Sequence, residues 1–233
     1  MRIDLPKWPQ MIITGPKIDP DLAKEIIFRT DDYITSLTPY TGGNDIEFNW
    51  LYHAECGIDL LDEKIGDVYP SRWEVINEAR RRIGFIELRY VPSAFASTSF
   101  IYGPHGFVHP NGVIEYGKNV GKYPEVSDIL SDFRDLARAF PWLELWATAY
   151  DREWCEEGGI PLVTFRVKSG RARIAPTRDL RDQNTRPGFE EVHPMSRHRG
   201  LLKERGLPEE WYHEFAGRVR NAVSASLADM RTA

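Results

Sequence analysis

Residues 124–141 read PEVSDILSDFRDLARAFP, an apolar stripe held between two prolines. Val126, Ile129, Leu130, Phe133, Leu136, Ala137 and Phe140 recur at helical spacing, and acidic residues fill the early turns. Proline is tolerated at the start of a helix and breaks its interior, so the pattern predicts one helix with both ends marked. Such a helix has one oily face, and the sequence on either side supplies alternating segments to cover it. Before it lies GFVHPNGVIEYG, two apolar runs around Asn111-Gly112, where a type I′ turn is expected because that pair accepts positive φ cheaply. After it lie LELWATAY and PLVTFRVKSGRARIAP, a strand and a hairpin over Ser169-Gly170.

Further elements follow the same logic. MIITG over 11–15 reads as a strand. Asp19 is placed to cap a helix that begins at Pro20. Ser71 and Glu74 form a capping-box pattern for a helix carrying Trp73, Ile76, Ala79 and Ile83, with Gly84 as its C-terminal cap. FIELRYV over 85–91 alternates like a strand, and SAFASTSFIY is expected to be another. Residues 37–70 give no clear pattern. The expectation is an α+β fold, an antiparallel or mixed sheet packed by about three helices, with a C-terminal arm and helix. The boundaries read from composition are a core over 1–176, an Arg-rich linker or arm over 177–206, and an amphipathic helix over 207–233.

A chain of 233 residues with 42% hydrophobic composition buries a core unaided. No apolar run approaches the roughly 20 residues that cross a bilayer, so no membrane is expected. The first twenty residues hold charges and four prolines, unlike a secretory signal. With only Cys56 and Cys155 present, the expected setting is the reducing cytoplasm. The net charge of −5 is uneven: residues 1–160 sum to −10 and 161–233 to +5. An acidic body repels nucleic-acid phosphates and can mimic them toward a protein partner.

Several groups have side chains capable of chemistry. His105 and His109 are four apart, but Pro104, Gly106 and Pro110 exclude a helix, and strand spacing parts them by ~13 Å. His193, His198 and Cys155 lack paired-ligand spacing, so no metal and no cofactor is expected. GKNVGKYP resembles a phosphate loop one residue too short, with Tyr123 where Ser or Thr should follow Lys122. Lys118 and Lys122 remain candidates for a weaker anion site before a helix N-terminus. Cys56, His53 and Asp59 could form a nucleophile set, but a buried thiol is the plainer reading. Asp151, Glu153, Glu156 and Glu157 read as a solvated acidic loop. Arg171, Arg173, Arg178, Arg181, Arg186, Arg197 and Arg199 could meet phosphates, without any nucleic-acid motif beside them. Trp211 and Phe215 begin an apolar stripe that must dock on this chain or on a second copy.

Three stretches, WPQMIITGPKIDPDLAKEIIFRTD, GPHGFVHPNGVIEYGKNVGKYPEV and AFPWLELWATAYD, resemble a family of uncharacterised proteins encoded by actinobacterial phages and prophages. The resemblance spans roughly 8–175 and implies a cytoplasmic accessory protein, with no activity to assign to particular residues. The leading expectation is a non-catalytic protein that binds a host or phage protein through its acidic body. Its interaction residues would include Trp211, Phe215, Arg197 and Arg199. The alternatives are an enzyme on a phosphate-bearing small molecule or nucleotide at the 102–125 loop, and a structural protein that self-assembles through its tail.

Overall fold

The computed structural model describes residues 3–7, 9–30, 72–91, 106–119, 123–153, 159–181 and 208–232. The fold is α+β. Its elements run β1 (Pro9–Thr14), α1 (Pro20–Thr30), α2 (Arg72–Ile83), β2 (Glu115–Asn119), α3 (Val126–Ala139), β3 (Leu145–Glu153), β4 (Pro161–Lys168), β5 (Arg171–Ala175) and α4 (Glu209–Thr232). Five strands form one antiparallel sheet in the order β2-β1-β3-β4-β5.

The chain divides into two units. The first comprises the described residues within 1–30 and 86–195, the second those within 31–85 and 196–233. The helix at 72–83 groups with the C-terminal helix, because an apolar stripe seeks a matching stripe irrespective of sequence distance.

In the first unit, alternation along the strands sorts side chains onto two faces. Met11, Ile13, Ala147, Ala149, Val163, Phe165 and Val167 are buried along one face. Register places Ala147 beside both Ile13 and Phe165. The α3 ring of Phe133 lies 5.4 Å from that of Phe165, so α3 covers this face. Helix α1 starts as expected: the Asp19 carboxylate accepts the Asp21 N–H at 2.9 Å.

The opposite face is covered by the chain after β5. Thr148 Oγ1 donates to the Arg178 carbonyl at 3.0 Å, the Arg178 N–H donates to Thr164 Oγ1 at 2.8 Å, and the two hydroxyls lie 2.9 Å apart. The Tyr150 hydroxyl donates to Asp179 at 3.0 Å and accepts the Leu180 N–H at 2.9 Å. Leu180 is buried with Ile12 and Tyr150, and Trp146 packs against them. Residues 177–181, expected to open a linker or arm, are fastened to the sheet. Polar strand residues do the fastening, and their role is invisible until the strands are aligned.

Segment 85–91 is not a strand. Its N–H groups turn to a buried carboxylate instead. Asp132 Oδ2 accepts the Arg89, Tyr90 and Val91 N–H groups at 3.1, 2.7 and 2.8 Å. The Ile86 N–H donates to the Arg29 carbonyl at 2.7 Å.

Both hairpin turns are in place, with one difference. Ser169 (φ 51°) and Gly170 (φ 71°) make the two-residue turn with mirror-image geometry that suits strand twist. At the other turn Asn111 has no positive φ, and the Gly112 N–H reaches the His109 carbonyl at 2.8 Å. Pro110 and Asn111 are thus the central residues, and Gly112 (φ 85°) follows in the left-handed region. Proline favours the second position of a type I turn. A type I′ turn over Asn111-Gly112 is replaced by a three-residue connection with a glycine bulge.

In the second unit, α2 ends with Gly84 at φ 68° and a Phe85 N–H bond to the Arg80 carbonyl at 2.9 Å, the expected left-handed cap. Along α4, Trp211, Phe215, Val219, Ala222, Val223, Ser226 and Leu227 are buried. Arg82 of α2 pairs with Asp229 of α4.

Candidate functional site

The hairpin β4–β5 carries its charges in phase. In PLVTFRVK, Arg166 and Lys168 alternate with Phe165 and Val167, and in RARIA, Arg171 and Arg173 alternate with Ala172 and Ile174. The two-residue turn fixes the register, so Arg166 stands opposite Arg173 and Lys168 opposite Arg171. Two successive like-charge pairs face each other. Like charges directly opposite are destabilising in an antiparallel ladder. The hairpin tolerates them because Phe165 and Val167, both fully buried, anchor β4 from the other face.

A second element adds to this charge. Arg134 and Arg138 sit four apart on α3, which places them on one flank of the helix. Together with Arg166, Lys168, Arg171 and Arg173 they line a cleft of about 460 Å³ at the β5 edge of the sheet. Two carboxylates answer these six cations. Asp135 takes Arg138 at 2.8 Å, while Glu144 takes Lys168 at 2.9 Å and lies 3.8 Å from Arg166. Arg134, Arg171 and Arg173 have no ion-pair partner among the described residues.

The cleft's inner wall is held in position. The Arg166 guanidinium lies 4.7 Å over the Trp146 ring, and the Arg178 guanidinium also lies 4.7 Å from that ring. Arg178 is fixed through the buried threonines described above. Arg166 Nε is buried with no hydrogen-bond partner among the described residues. A positively charged and incompletely paired surface is suited to hold multivalent anions. Among the described residues, no cluster of three or more His, Cys, Asp or Glu is able to hold a metal ion. Nor is any described helix long and apolar enough to cross a membrane.

Of the residues singled out by sequence, Arg171 and Arg173 line the cleft, and the other described ones fall elsewhere. His109 opens the turn beside Pro110, its N–H donating to the Val113 carbonyl at 2.8 Å. Lys118 lies in the edge strand β2, opposite Met11. At the start of α3, the Asp128 carboxylate accepts the Glu125 N–H at 2.8 Å. The chain's own acid thus occupies one of the N–H groups that an anion would seek there. His105, Lys122, Arg197, Arg199, His53, Cys56, Asp59, Cys155, Glu156, Glu157, Arg186, His193 and His198 lie outside the described residues. Asp151 accepts the Ile160 N–H at 2.5 Å and so closes its own loop. Trp211 and Phe215 are buried, with ring centroids 6.4 Å apart.

Four of the six cleft cations, Arg134, Arg138, Arg166 and Lys168, are not among the candidates that the sequence pattern marks. The signal for two of them was present in RVKSGRAR: a two-residue turn over Ser169-Gly170 necessarily pairs Lys168 with Arg171 and Arg166 with Arg173.

No family model, curated protein or solved structure matches this chain.

Proposed function

We propose that this chain is a non-catalytic binding protein that holds a phosphate-bearing polyanion in the cleft at the β5 edge of the sheet. The observation that carries the reading is the double like-charge pairing, Arg166 with Arg173 and Lys168 with Arg171. A fold gains nothing from that arrangement by itself, whereas a bound polyanion converts the mutual repulsion into attraction. The pairing favours this surface over protein contacts made through the acidic part of the chain. It retains the non-catalytic character expected from the sequence and changes the chemistry of the partner.

The test is binding of long-chain inorganic polyphosphate to the full chain, followed by anisotropy or calorimetry across a salt series. Binding that weakens steeply with salt supports the reading. The Arg171→Glu/Arg173→Glu variant should lose it. Arg173→Glu also places a carboxylate opposite Arg166, and should raise the stability of the unliganded protein by about 0.2–1 kcal/mol. Polyphosphate binding that is absent at low salt, or is unchanged in the double variant, refutes the proposal.

A further inference from the structure

The class of polyanion can be narrowed, on the premise that the cleft binds phosphates. Beside it stands an aromatic side chain with an unused face. Trp142 is 40% exposed, one of the few large apolar side chains left open among the described residues. It directly follows Pro141, whose Cβ lies 3.6 Å from the point where a Cβ on Gly170 would stand. Gly170 lines the cleft, as does Arg138, four residues before Trp142. Trp142 is thus joined, through Pro141, to a residue in contact with the cleft-lining Gly170.

It is also held there. The Phe140 ring, 1% exposed, lies 5.7 Å from the Trp142 ring at 59°. The Arg29 guanidinium packs 4.9 Å over Phe140. A buried aromatic thus supports an open one, which limits the side-chain entropy that Trp142 loses on binding a ligand. Trp146, a second tryptophan near the cleft among the described residues, already has two guanidinium groups over its ring. Trp142 is therefore the ring available to a ligand.

We infer that the ligand is a single-stranded nucleic acid, with its phosphates along the β4–β5 cations and one base stacked on Trp142. A duplex keeps its bases stacked on each other and presents only backbone and groove edges, so an open aromatic face adds nothing to its binding. Inorganic polyphosphate has no base and cannot use Trp142 at all. Single strands are held by this combination of a cationic track and an aromatic platform. A cleft of about 460 Å³ has room for a nucleotide-sized portion of one strand.

The experiment compares three probes on the full chain: a short labelled oligothymidylate, a duplex of equal length, and inorganic polyphosphate. The proteins are wild type, Trp142→Ala, Trp142→Phe and Arg171→Glu/Arg173→Glu. The single strand should bind more tightly than the duplex. Trp142→Ala should weaken single-strand binding roughly tenfold, Trp142→Phe should retain most of it, and both should leave polyphosphate binding unchanged. The salt slope for the single strand should be about −0.7 per phosphate contact, unchanged in Trp142→Ala and shallower in the arginine variant. Equal affinity for single strand and duplex overturns the inference, as does a Trp142→Ala variant that binds the single strand normally. In either case polyphosphate binding leaves the polyanion reading standing. If none of the three probes binds, that reading fails and the inference fails with it.

Discussion

Replacing Asp132 separates two things a buried carboxylate can do, supply an acceptor and supply a charge. Asp132 is 4% exposed, and the N–H groups of Arg89, Tyr90 and Val91 all converge on one of its oxygens. Asp132→Ala leaves all three donors without that partner. Val91 is itself buried, and the other two sites are partly so. An abandoned buried donor costs about 1–3 kcal/mol and a partly wet one less. The alanine variant also escapes the cost of burying a charge, so the net loss comes to about 3 kcal/mol. For a chain of this length that lowers Tm by roughly 6–12 °C. Because a single oxygen takes all three bonds, Asp132→Asn can place its carbonyl there, and should lose only about 1 kcal/mol. Both losses are read by thermal and chemical unfolding followed by circular dichroism.

The pH dependence tests the same site independently. Burial pushes the Asp132 carboxyl above its ordinary value of 3.8, against the downward pull of the three N–H donors. The folded state thus binds this proton more tightly than the unfolded chain does. Its contribution to stability is complete below 3.8 and is lost as pH rises through the higher folded value. The advantage of wild type over Asp132→Asn should therefore grow as pH falls from neutrality toward 3.8. Asparagine and alanine variants of equal stability would refute the single-oxygen account. A wild-type advantage that shrinks on acidification would refute the direction of the shift.

Further outcomes follow from the turns and the sheet's second face. Gly112→Ala should cost at least about 2 kcal/mol, because φ is 85° and the new Cβ would meet the Ile18 carbonyl oxygen at 1.9 Å. Gly170→Ala, with a similar φ but no contact under 3.6 Å, should cost about 1 kcal/mol, and equal losses at the two sites would contradict the clash. Tyr150→Phe should lose about 1–3 kcal/mol by abandoning the buried Leu180 N–H, as read by urea unfolding. Burial pushes the Tyr150 hydroxyl up to about 12 from 10.0. Its stabilising contribution is complete below 10.0 and lost as pH rises through about 12, so alkaline unfolding should be less steep in the phenylalanine variant.

Local chemistry made much of this protein readable along the chain. Pro124 and Pro141 bracket α3, Asp19 and Pro20 start α1, Gly84 ends α2, and Ser169-Gly170 turns the β4–β5 hairpin, each for a reason contained within a few residues. The hairpin even set the register of the cleft's four strand cations in advance. Tertiary structure decided the rest, wherever a group's partner lies far away in sequence. Asp132 sits inside the apolar stripe of α3 and draws 89–91 out of a strand, a contact across more than forty residues. Thr148, Thr164 and Tyr150 look like ordinary strand residues, yet they turn 177–181 from an arm into a cover. The two arginines of α3 join those of β4 and β5 only because Phe133 seats the helix on Phe165. Periodicity reports which face of an element is apolar, but not which distant segment that face meets. Hydrogen-bond partners and charge clusters are therefore settled by packing, after the local elements already exist.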